Sequence, residues 1–459
     1  MPSWRLRRPP EWGTEPVPQG LRVLRTFDLF VLWSSLAAGL LVLAAGALLV
    51  GAFGLTLWES LAVALAGSVI GSLMLAGAAV HGSRAGVPTM VSLRPILGRG
   101  GSYVPTALNV LQLLGWTAFE FVVMGQAAAV LTGNVFGPMT AEVFVPVFAV
   151  VTIALALGGP LAVVRDWLER FAIWLVYAST AVIAAAVFLH GLDFSARLPA
   201  VAGNFSGTSS VLLGLDLVVA MPVSWWPLVS DYNRFARNAR TSVVGTTLGY
   251  SAANLVFYML GAALLFLGVS VFGLSASDPA AFLAAIGLLG LSFVPLLVIL
   301  ADETDNAFAD VYSAAVSYQN LAPRRRQFWP VLVATALGAV GALLLLGQGE
   351  LIGGGYESFL LLVGALFVPL LGTVIADSFL VRRMDYRIEE FTDPAPRWRW
   401  PAYASWLPGV ALYFAITYLQ IPIGATLPSF ALAAGLHLVF CKLDARMASR
   451  STAAADGHG

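Results

Sequence analysis

The chain has 459 residues, of which 59% are hydrophobic and 11% charged, and its formal net charge is zero. Soluble globular domains carry about 25% charged residues, so this composition excludes a soluble protein, and the zero net charge offers no bulk attraction to nucleic acid. The single cysteine, Cys441, excludes an internal disulfide and a metal site built from cysteines. We therefore expect no cofactor and no nucleic-acid partner, but a bundle of helices in a lipid bilayer.

Twelve apolar segments follow residues 1–26, a Pro- and Arg-rich stretch that we interpret as a solvated cytoplasmic tail. The first segment is too long for the apolar core of a secretory signal, so it is interpreted as a true span. The predicted spans are 27–50, 58–80, 104–131, 142–158, 170–190, 209–229, 245–272, 292–318, 329–347, 355–380, 402–419 and 424–442. Residues 443–459 are predicted to form a disordered tail.

The positive charges test this count, because Lys and Arg accumulate on the cytoplasmic side of short loops. With the N-terminal tail in the cytoplasm, every Lys and Arg except Arg197 falls in a tail or loop on that side. A wrong number of helices would scramble this alternation. We therefore predict twelve spans in the cell (inner or plasma) membrane, with both termini cytoplasmic.

Sequence patterns typical of enzymes are missing. The four His residues lack metal-ligand spacing, and neither a G-x-S-x-G elbow nor a Walker-type loop occurs. We therefore do not expect an enzyme. A channel or a non-transporting sensor remains open beside a transporter.

The third segment, LNVLQLLGWTAFEFVVMGQ, carries a carboxylate within the apolar run. Trp116 and Glu120 are four residues apart, so they share one face of a helix. Ionisable groups survive inside a membrane where protein or a watery cavity surrounds them. A flat ring beside a carboxylate suits a planar ligand that forms hydrogen bonds. The alternative is a tryptophan packed in the bundle with Glu120 near a helix end.

The sixth segment contains two prolines, Pro222 and Pro227, on either side of Trp225 and Trp226. Proline removes a backbone donor and disrupts a helix. We expect an unwound segment between the prolines, with backbone groups facing a cavity as in the discontinuous helices of transporters. The alternative is a simple kink with a pair of interfacial tryptophans.

The eighth segment, LVILADETDNAFADVYSAAVS, concentrates acidic residues. The carboxylates are Asp302, Glu303, Asp305 and Asp310. Residues 283–301 are apolar enough to span alone, which would leave the acids in a cytoplasmic amphipathic segment. Burial of these carboxylates is favoured because the preceding stretch, AAFLAAIGLLG, is expected to form a surface helix. In addition, Asp310 lies 14 residues before Arg324, about 21 Å of helix at ~1.5 Å per residue.

Four stretches belong together: NVLQLLGWTAFE, SWWPLVSDYNRFAR, DNAFADVYSAAVSYQNL and VPLLGTVIADSFLVRR. Together they resemble the nucleobase–cation symporters, in particular the purine–cytosine permease and hydroxymethylpyrimidine-transporter-like branch. The resemblance implies an all-α membrane protein with the leucine-transporter fold. Two inverted five-helix repeats, residues 27–190 and 209–380, would be followed by two helices in 402–442. It also implies a break in the first span, where SSLAAGLLVLAAG supplies small residues and glycines.

The function implied by this resemblance is secondary active transport. A cation symporter would import a nucleobase or an aminopyrimidine-type heterocycle by alternating access. A symporter of another small amine or amino acid on the same fold remains an alternative. The implied partners are a small heterocycle and the lipid bilayer, and the oligomeric state is left open, with a monomer as one option.

The resemblance also implies site residues. A heterocycle would stack between Trp116 and a tryptophan of the sixth span, where Trp225 fits better than Trp226. The implied substrate-binding residues are Trp116, Glu120, Ser224, Trp225 and Asp310. The implied cation-binding residues are Ala38, Leu41, Ala301, Thr304 and Asp305.

Asp305 departs from the family pattern, which has a hydroxyl side chain at this position. A carboxylate strengthens a sodium site, and it can also carry a coupling proton itself. The coupling ion, sodium or proton, therefore stays open. No role follows for Asp302 or Glu303, although Glu303 and Asp310 are seven residues apart and share a helix face.

Overall fold

A computed structural model of the protein describes residues 13–198, 207–275, 281–290, 293–348, 354–392 and 397–456. The first half contains α1 (Thr26–Ser35), α2 (Leu40–Gly51), α3 (Leu57–Ala85), α4 (Thr89–Ser92), α5 (Arg94–Leu97), α6 (Tyr103–Leu131), α7 (Thr140–Gly158), α8 (Pro160–Ala162) and α9 (Ile173–Phe188). The second half contains α10 (Thr208–Ser224), α11 (Val229–Asn233), α12 (Ala239–Ser270), α13 (Ala281–Leu288), α14 (Phe293–Leu321), α15 (Phe328–Gln348), α16 (Gly354–Ile375), α17 (Ile388–Thr392), α18 (Trp400–Tyr418) and α19 (Thr426–Asp456). Three short 3₁₀ turns are Gln19–Leu21, Gly137–Met139 and Trp226–Leu228, and two π-helical stretches are Val163–Ala172 and Ala376–Val381.

The described helices are consistent with twelve spans. Nine helical stretches are long and apolar enough to cross a membrane, and α1 with α2 forms a tenth that is bent by 66°. The acid-bearing α14, with 29 residues, and α18, with 19, coincide with the predicted eighth and eleventh spans. The all-helical membrane architecture is therefore confirmed, while the division into two inverted repeats stays a prediction.

The break in the first span lies where the sequence placed it. α1 ends at Ser35 and α2 begins at Leu40. Gly39 has φ +156°, a backbone conformation that residues with a side chain rarely adopt. A Cβ at this position would lie 3.1 Å from Oδ2 of Asp302. Glycine thus lets the chain turn at this point and leaves room for an acidic side chain of α14.

The break in the sixth span is shorter than predicted and lies nearer its end. α10 continues through Pro222 to Ser224, and the chain then tightens into the 3₁₀ turn Trp226–Leu228 before α11 resumes. The predicted unwound segment is therefore corrected to a tight turn, because the backbone stays helical through Ser224, two residues beyond Pro222, and breaks only after it. The carbonyl of Pro227 accepts a hydrogen bond from Asn109 Nδ2 at 3.2 Å.

The helices α2 and α12 meet backbone to backbone at two glycines. A Cβ at Gly46 would overlap the carbonyl oxygen of Tyr258, and a Cβ at Gly261 would overlap that of Leu43. Small residues let membrane helices approach closely, which maximises their van der Waals contact. The second half of the broken span, α2, is thus tightly joined to α12.

The motif VSDYNRFAR ties four helices together. Asn233 of α11 accepts a hydrogen bond from Trp33 Nε1 of α1 at 2.9 Å and donates one to Thr246 Oγ1 of α12 at 2.8 Å. Arg234 donates a bond to the Tyr312 hydroxyl of α14 at 2.8 Å. Asn233 and Arg234 of this motif are therefore packing and hydrogen-bonding groups at one end of the bundle.

Both chain ends differ from the prediction. The stretch 13–25 was expected to be a solvated tail, but Val17 and Leu24 are 0% exposed and Arg22 donates a 2.9 Å hydrogen bond to the Arg84 carbonyl. At the other end, α19 continues to Asp456, beyond the predicted disorder boundary at 443. Residues 443–456 lack Gly and Pro and are rich in good helix formers, so the helix outlasts the apolar stretch. Residues 1–12 and 457–459 lie outside the described residues.

Candidate substrate and cation site

A cavity lies between the α1–α2 break, α6, the end of α10 and α14. Small-molecule sites are clefts of this kind, in which a few polar side chains converge beside aromatic rings. All five side chains predicted to bind substrate line it: Trp116, Glu120, Ser224, Trp225 and Asp310. Two of the residues predicted to bind the cation, Ala38 and Leu41, line the same cavity.

The two tryptophans of the sixth span point in different directions. Trp225 lines the cavity. Trp226 is 1% exposed, and its Nε1 donates a 2.9 Å hydrogen bond to the carbonyl of Phe367 in α16. The geometry therefore favours Trp225 over Trp226 as the partner of Trp116.

Trp116 is held by an aromatic contact that the sequence did not suggest. Its ring meets that of Phe359 edge to face, with 5.3 Å between the centroids. Phe359 belongs to α16, so α16 packs against α6 and supports one of the rings that line the cavity. Phe359 stands in the apolar stretch YESFLLLVG, where no sequence signal separates it from its lipid-facing neighbours.

Three carboxyl groups face the cavity. Glu120, Glu303 and Asp310 are 3%, 1% and 3% exposed, which rules out the alternative of a cytoplasmic amphipathic segment. The carboxyl groups of Glu120 and Glu303 lie close to each other. None of the described residues that line the cavity is Lys or Arg. The cavity is therefore strongly acidic.

Glu303 and Asn306 are lining residues to which sequence reasoning gave no role. Together with Asp310 they follow the i, i+3, i+7 spacing of one helix face, and this spacing could have identified both. Glu303 Oε1 accepts a hydrogen bond from the backbone N–H of Leu40 at 3.3 Å. Since Leu40 begins α2, Glu303 lies at the positive end of that helix dipole, where a negative charge is stabilised.

Of the predicted cation residues, Asp305 contacts the end of α1. Asp305 is 0% exposed, and its Oδ2 accepts a hydrogen bond of 3.0 Å from Ser35 Oγ, a residue that was not predicted. Thr304 is 7% exposed. Ala301 lies in α14, but its side chain is outside what the structure describes. Unsatisfied carbonyls at a helix C-terminus carry partial negative charge, so a carboxylate beside them makes an environment suited to a cation.

A second buried polar cluster lies at the other end of α16. His437 Nε2 of α19 is 2.9 Å from Asp377 Oδ1 and 3.3 Å from Cys441 Sγ, and Asp377 also accepts a 2.6 Å bond from the Tyr386 hydroxyl. The Asp, His and Cys side chains are close enough together to ligate a metal ion, an arrangement that the sequence spacing did not reveal. Because these atoms already bond each other, we interpret the cluster as a tie between α16 and α19.

The comparison with protein families matches residues 16–435 to the model described as "Permease for cytosine/purines, uracil, thiamine, allantoin". The chain belongs to this permease family, and the resemblance to nucleobase–cation symporters is confirmed. The protein is a secondary active membrane transporter of nucleobase-type heterocycles.

Curated relatives agree with this assignment. The chain is 24% identical over 425 residues to the putative purine-cytosine permease YxlA of Bacillus subtilis (strain 168), covering 89% of this chain and 86% of the relative. It is 26% identical over 356 residues to the cytosine permease of Escherichia coli (strain K12), covering 72% and 74%. The channel and sensor interpretations are therefore set aside.

Solved structures show the fold. Mhp1, a nucleobase-cation-symport-1 family transporter solved in a closed conformation with bromovinylhydantoin bound, matches with a TM-score of 0.71 at 20% identity, covering 95% of this chain and 96% of Mhp1. MhsT, solved in complex with L-phenylalanine, matches with a TM-score of 0.57 at 17% identity, covering 89% and 98%. The predicted leucine-transporter-like fold is confirmed.

Proposed function

We propose that the protein is a cation-coupled symporter in the cell membrane that imports an amino-bearing nucleobase or aminopyrimidine by alternating access, with both termini cytoplasmic. The supporting observation is the cavity in which Trp116, Trp225 and three carboxyl groups meet beside the α1–α2 break. The distribution of Lys and Arg supports the orientation.

In this proposal the substrate ring stacks on Trp116 and Trp225, and its N–H groups donate to Glu120 and Asp310. Carboxylates only accept hydrogen bonds. The Ser224 hydroxyl donates its proton to the Met221 carbonyl at 2.7 Å. Its oxygen can therefore only accept a hydrogen bond from the ligand. The cavity therefore suits a ring with several N–H donors.

The coupling cation would bind between α1 and α14, near Asp305 and the backbone at Ala38 and Leu41. We take sodium as the coupling ion because the small residues of this region keep the cavity expected for the family. A proton carried by Asp305 is the alternative. The buried Ser35–Asp305 contact supports a functional role in either case.

Counterflow in proteoliposomes tests the proposed function. Vesicles preloaded with unlabelled cytosine or adenine should take up the labelled base faster than empty vesicles, and uptake should saturate. Exchange of this kind requires a carrier that alternates. Protein-free vesicles are the control, and uptake without saturation or exchange would contradict the proposal.

Removing either stacking ring should weaken binding. Trp116→Ala and Trp225→Ala are each expected to cost about 1–3 kcal/mol of substrate binding, as base–aromatic stacking does elsewhere. Equilibrium binding to the purified protein measures this. Trp329→Ala is the matched control, because Trp329 is 63% exposed and distant in sequence from the cavity residues. Unchanged affinity in both folded variants would remove these rings from the site.

The acids should also set the preference among bases. Cytosine and adenine are expected to bind more tightly than uracil and xanthine, because ring carbonyls would meet the carboxyl oxygens of Glu120 and Asp310. Competition against a labelled base at neutral pH gives the order. If uracil bound more tightly than cytosine, the assignment of these two acids would be wrong.

A further inference from the structure

The cavity is surrounded by more carboxyl groups than one coupling cation could neutralise. Glu120, Glu303 and Asp310 line the cavity, and Asp302, 1% exposed, lies directly behind it against Gly39. Only Asp305 is assigned to the coupling cation. Buried charges without partners are very unfavourable in a membrane interior. These carboxyl groups are therefore stable there either as neutral acids or with positive charge supplied to this region during the transport cycle.

Unsatisfied acceptors point into the same region. Glu120 Oε2, Asn306 Oδ1 and both carboxyl oxygens of Asp302 are buried without a hydrogen-bond partner among the described residues. Glu120 and Asn306 line the cavity itself. Buried polar atoms are nearly always paired in folded proteins. These oxygens are therefore available to accept hydrogen bonds from donor groups of a ligand.

The polar donors of the cavity are largely committed elsewhere. Asn306 Nδ2 points to Glu303 Oε2 at 3.4 Å, and the Ser224 hydroxyl donates to the Met221 carbonyl at 2.7 Å. A neutral base with ring carbonyls would find few donors among these groups.

We infer that the transported heterocycle is itself a cation: a planar amidinium, guanidinium or ring-protonated amino compound rather than a neutral base. This inference rests on the proposed function of the same cavity. A flat cation pairs its N–H groups with Glu120 and Glu303 in charge-assisted hydrogen bonds. Its positive ring also gains cation–π attraction from Trp116 and Trp225.

A matched pair of ligands isolates the charge. 4-Aminopyridine is protonated at neutral pH, whereas 4-aminopyrimidine has the same shape and amino group and remains neutral. We expect 4-aminopyridine to bind the purified full-length protein at least tenfold more tightly, measured by calorimetry and by competition against labelled cytosine. Equal or tighter binding of 4-aminopyrimidine overturns the inference. This comparison of two ligands uses the native protein and needs no variant.

Variants then locate the charge recognition. Glu120→Gln and Glu303→Gln should each reduce the preference for the cation severalfold while affecting the neutral ligand less. The control is Glu389→Gln, an exposed glutamate of α17, which should leave the preference unchanged. A preference that survives both cavity variants, shown by thermal unfolding to be folded, contradicts recognition by these acids.

Transport of bases and recognition of a cationic substrate are tested by different results. If cytosine or adenine exchanges in counterflow while 4-aminopyridine does not bind, the cationic substrate is wrong and the proposed transport of bases stands. If neither the bases nor 4-aminopyridine binds or exchanges, the proposed function fails, and the inference fails with it.

Discussion

Asp305→Asn is expected to abolish accumulation of substrate, down to the level of protein-free vesicles, while binding and exchange persist. Asp305 is fully buried between α1 and α14 and bonded to Ser35. If sodium binds there, the variant removes the full negative charge that holds the ion. If a proton is coupled, the neutral amide imitates the permanently protonated side chain and cannot release it.

The measurement is uptake into proteoliposomes with sodium and pH gradients imposed separately. Dependence of the native protein on the sodium gradient alone identifies sodium, and sensitivity to an uncoupler without sodium identifies the proton. Asp193→Asn, a change at an exposed acid, is the control. An Asp305→Asn protein that still accumulates substrate under either gradient would show that this carboxylate takes no part in coupling.

Gly261→Ala is expected to destabilise the protein by about 1–3 kcal/mol or more, the usual cost of overpacking a core. The new Cβ would overlap the Leu43 carbonyl, and a backbone atom cannot move aside as the end of a flexible side chain can. Since α2 and α12 would separate locally, transport should fall as well. Thermal unfolding of the purified protein measures the loss of stability.

Gly435→Ala in α19 is the matched control. A Cβ at Gly435 meets nothing within 4 Å. Alanine is a better helix former than glycine, so this variant should be as stable as the native protein or slightly more so. Equal unfolding temperatures for the two variants would mean that the glycine crossing does not determine how closely α2 and α12 pack.

Sequence reasoning predicted features that depend on local composition. The spans follow from hydropathy and the burial of Asp310 from its distance to the basic loop, whereas the break in the first span was expected only because the family resemblance implies it. Trp225 was preferred over Trp226 from the family resemblance, and the structure supports that preference because Trp225 lines the cavity while the Trp226 indole is bonded to the Phe367 carbonyl.

Other features depend on contacts between distant segments. Phe359 looks like any apolar residue of its span until α16 packs against α6. The packing of residues 13–25 depends on carbonyl groups at the end of α3, which no local pattern in a Pro- and Arg-rich stretch reveals. The helical spacing of Glu303 relative to Asp310 could have identified it as a cavity residue. Its bond to Leu40, however, depends on the position of a broken helix 263 residues away in the chain.

The tie between Asp377 and His437 has a mechanical consequence for α16. One end of this helix is fastened to α19, whereas its Phe359 end rests against the Trp116 ring. Eighteen residues separate Phe359 from Asp377, about 27 Å at ~1.5 Å per residue. Between these two points, the bond from Trp226 Nε1 to the Phe367 carbonyl also holds α16. α16 thus joins a fixed contact on α19, the turn that carries Trp225, and the ring that supports Trp116, so a displacement of α16 would be transmitted to both indoles on which the heterocycle would stack.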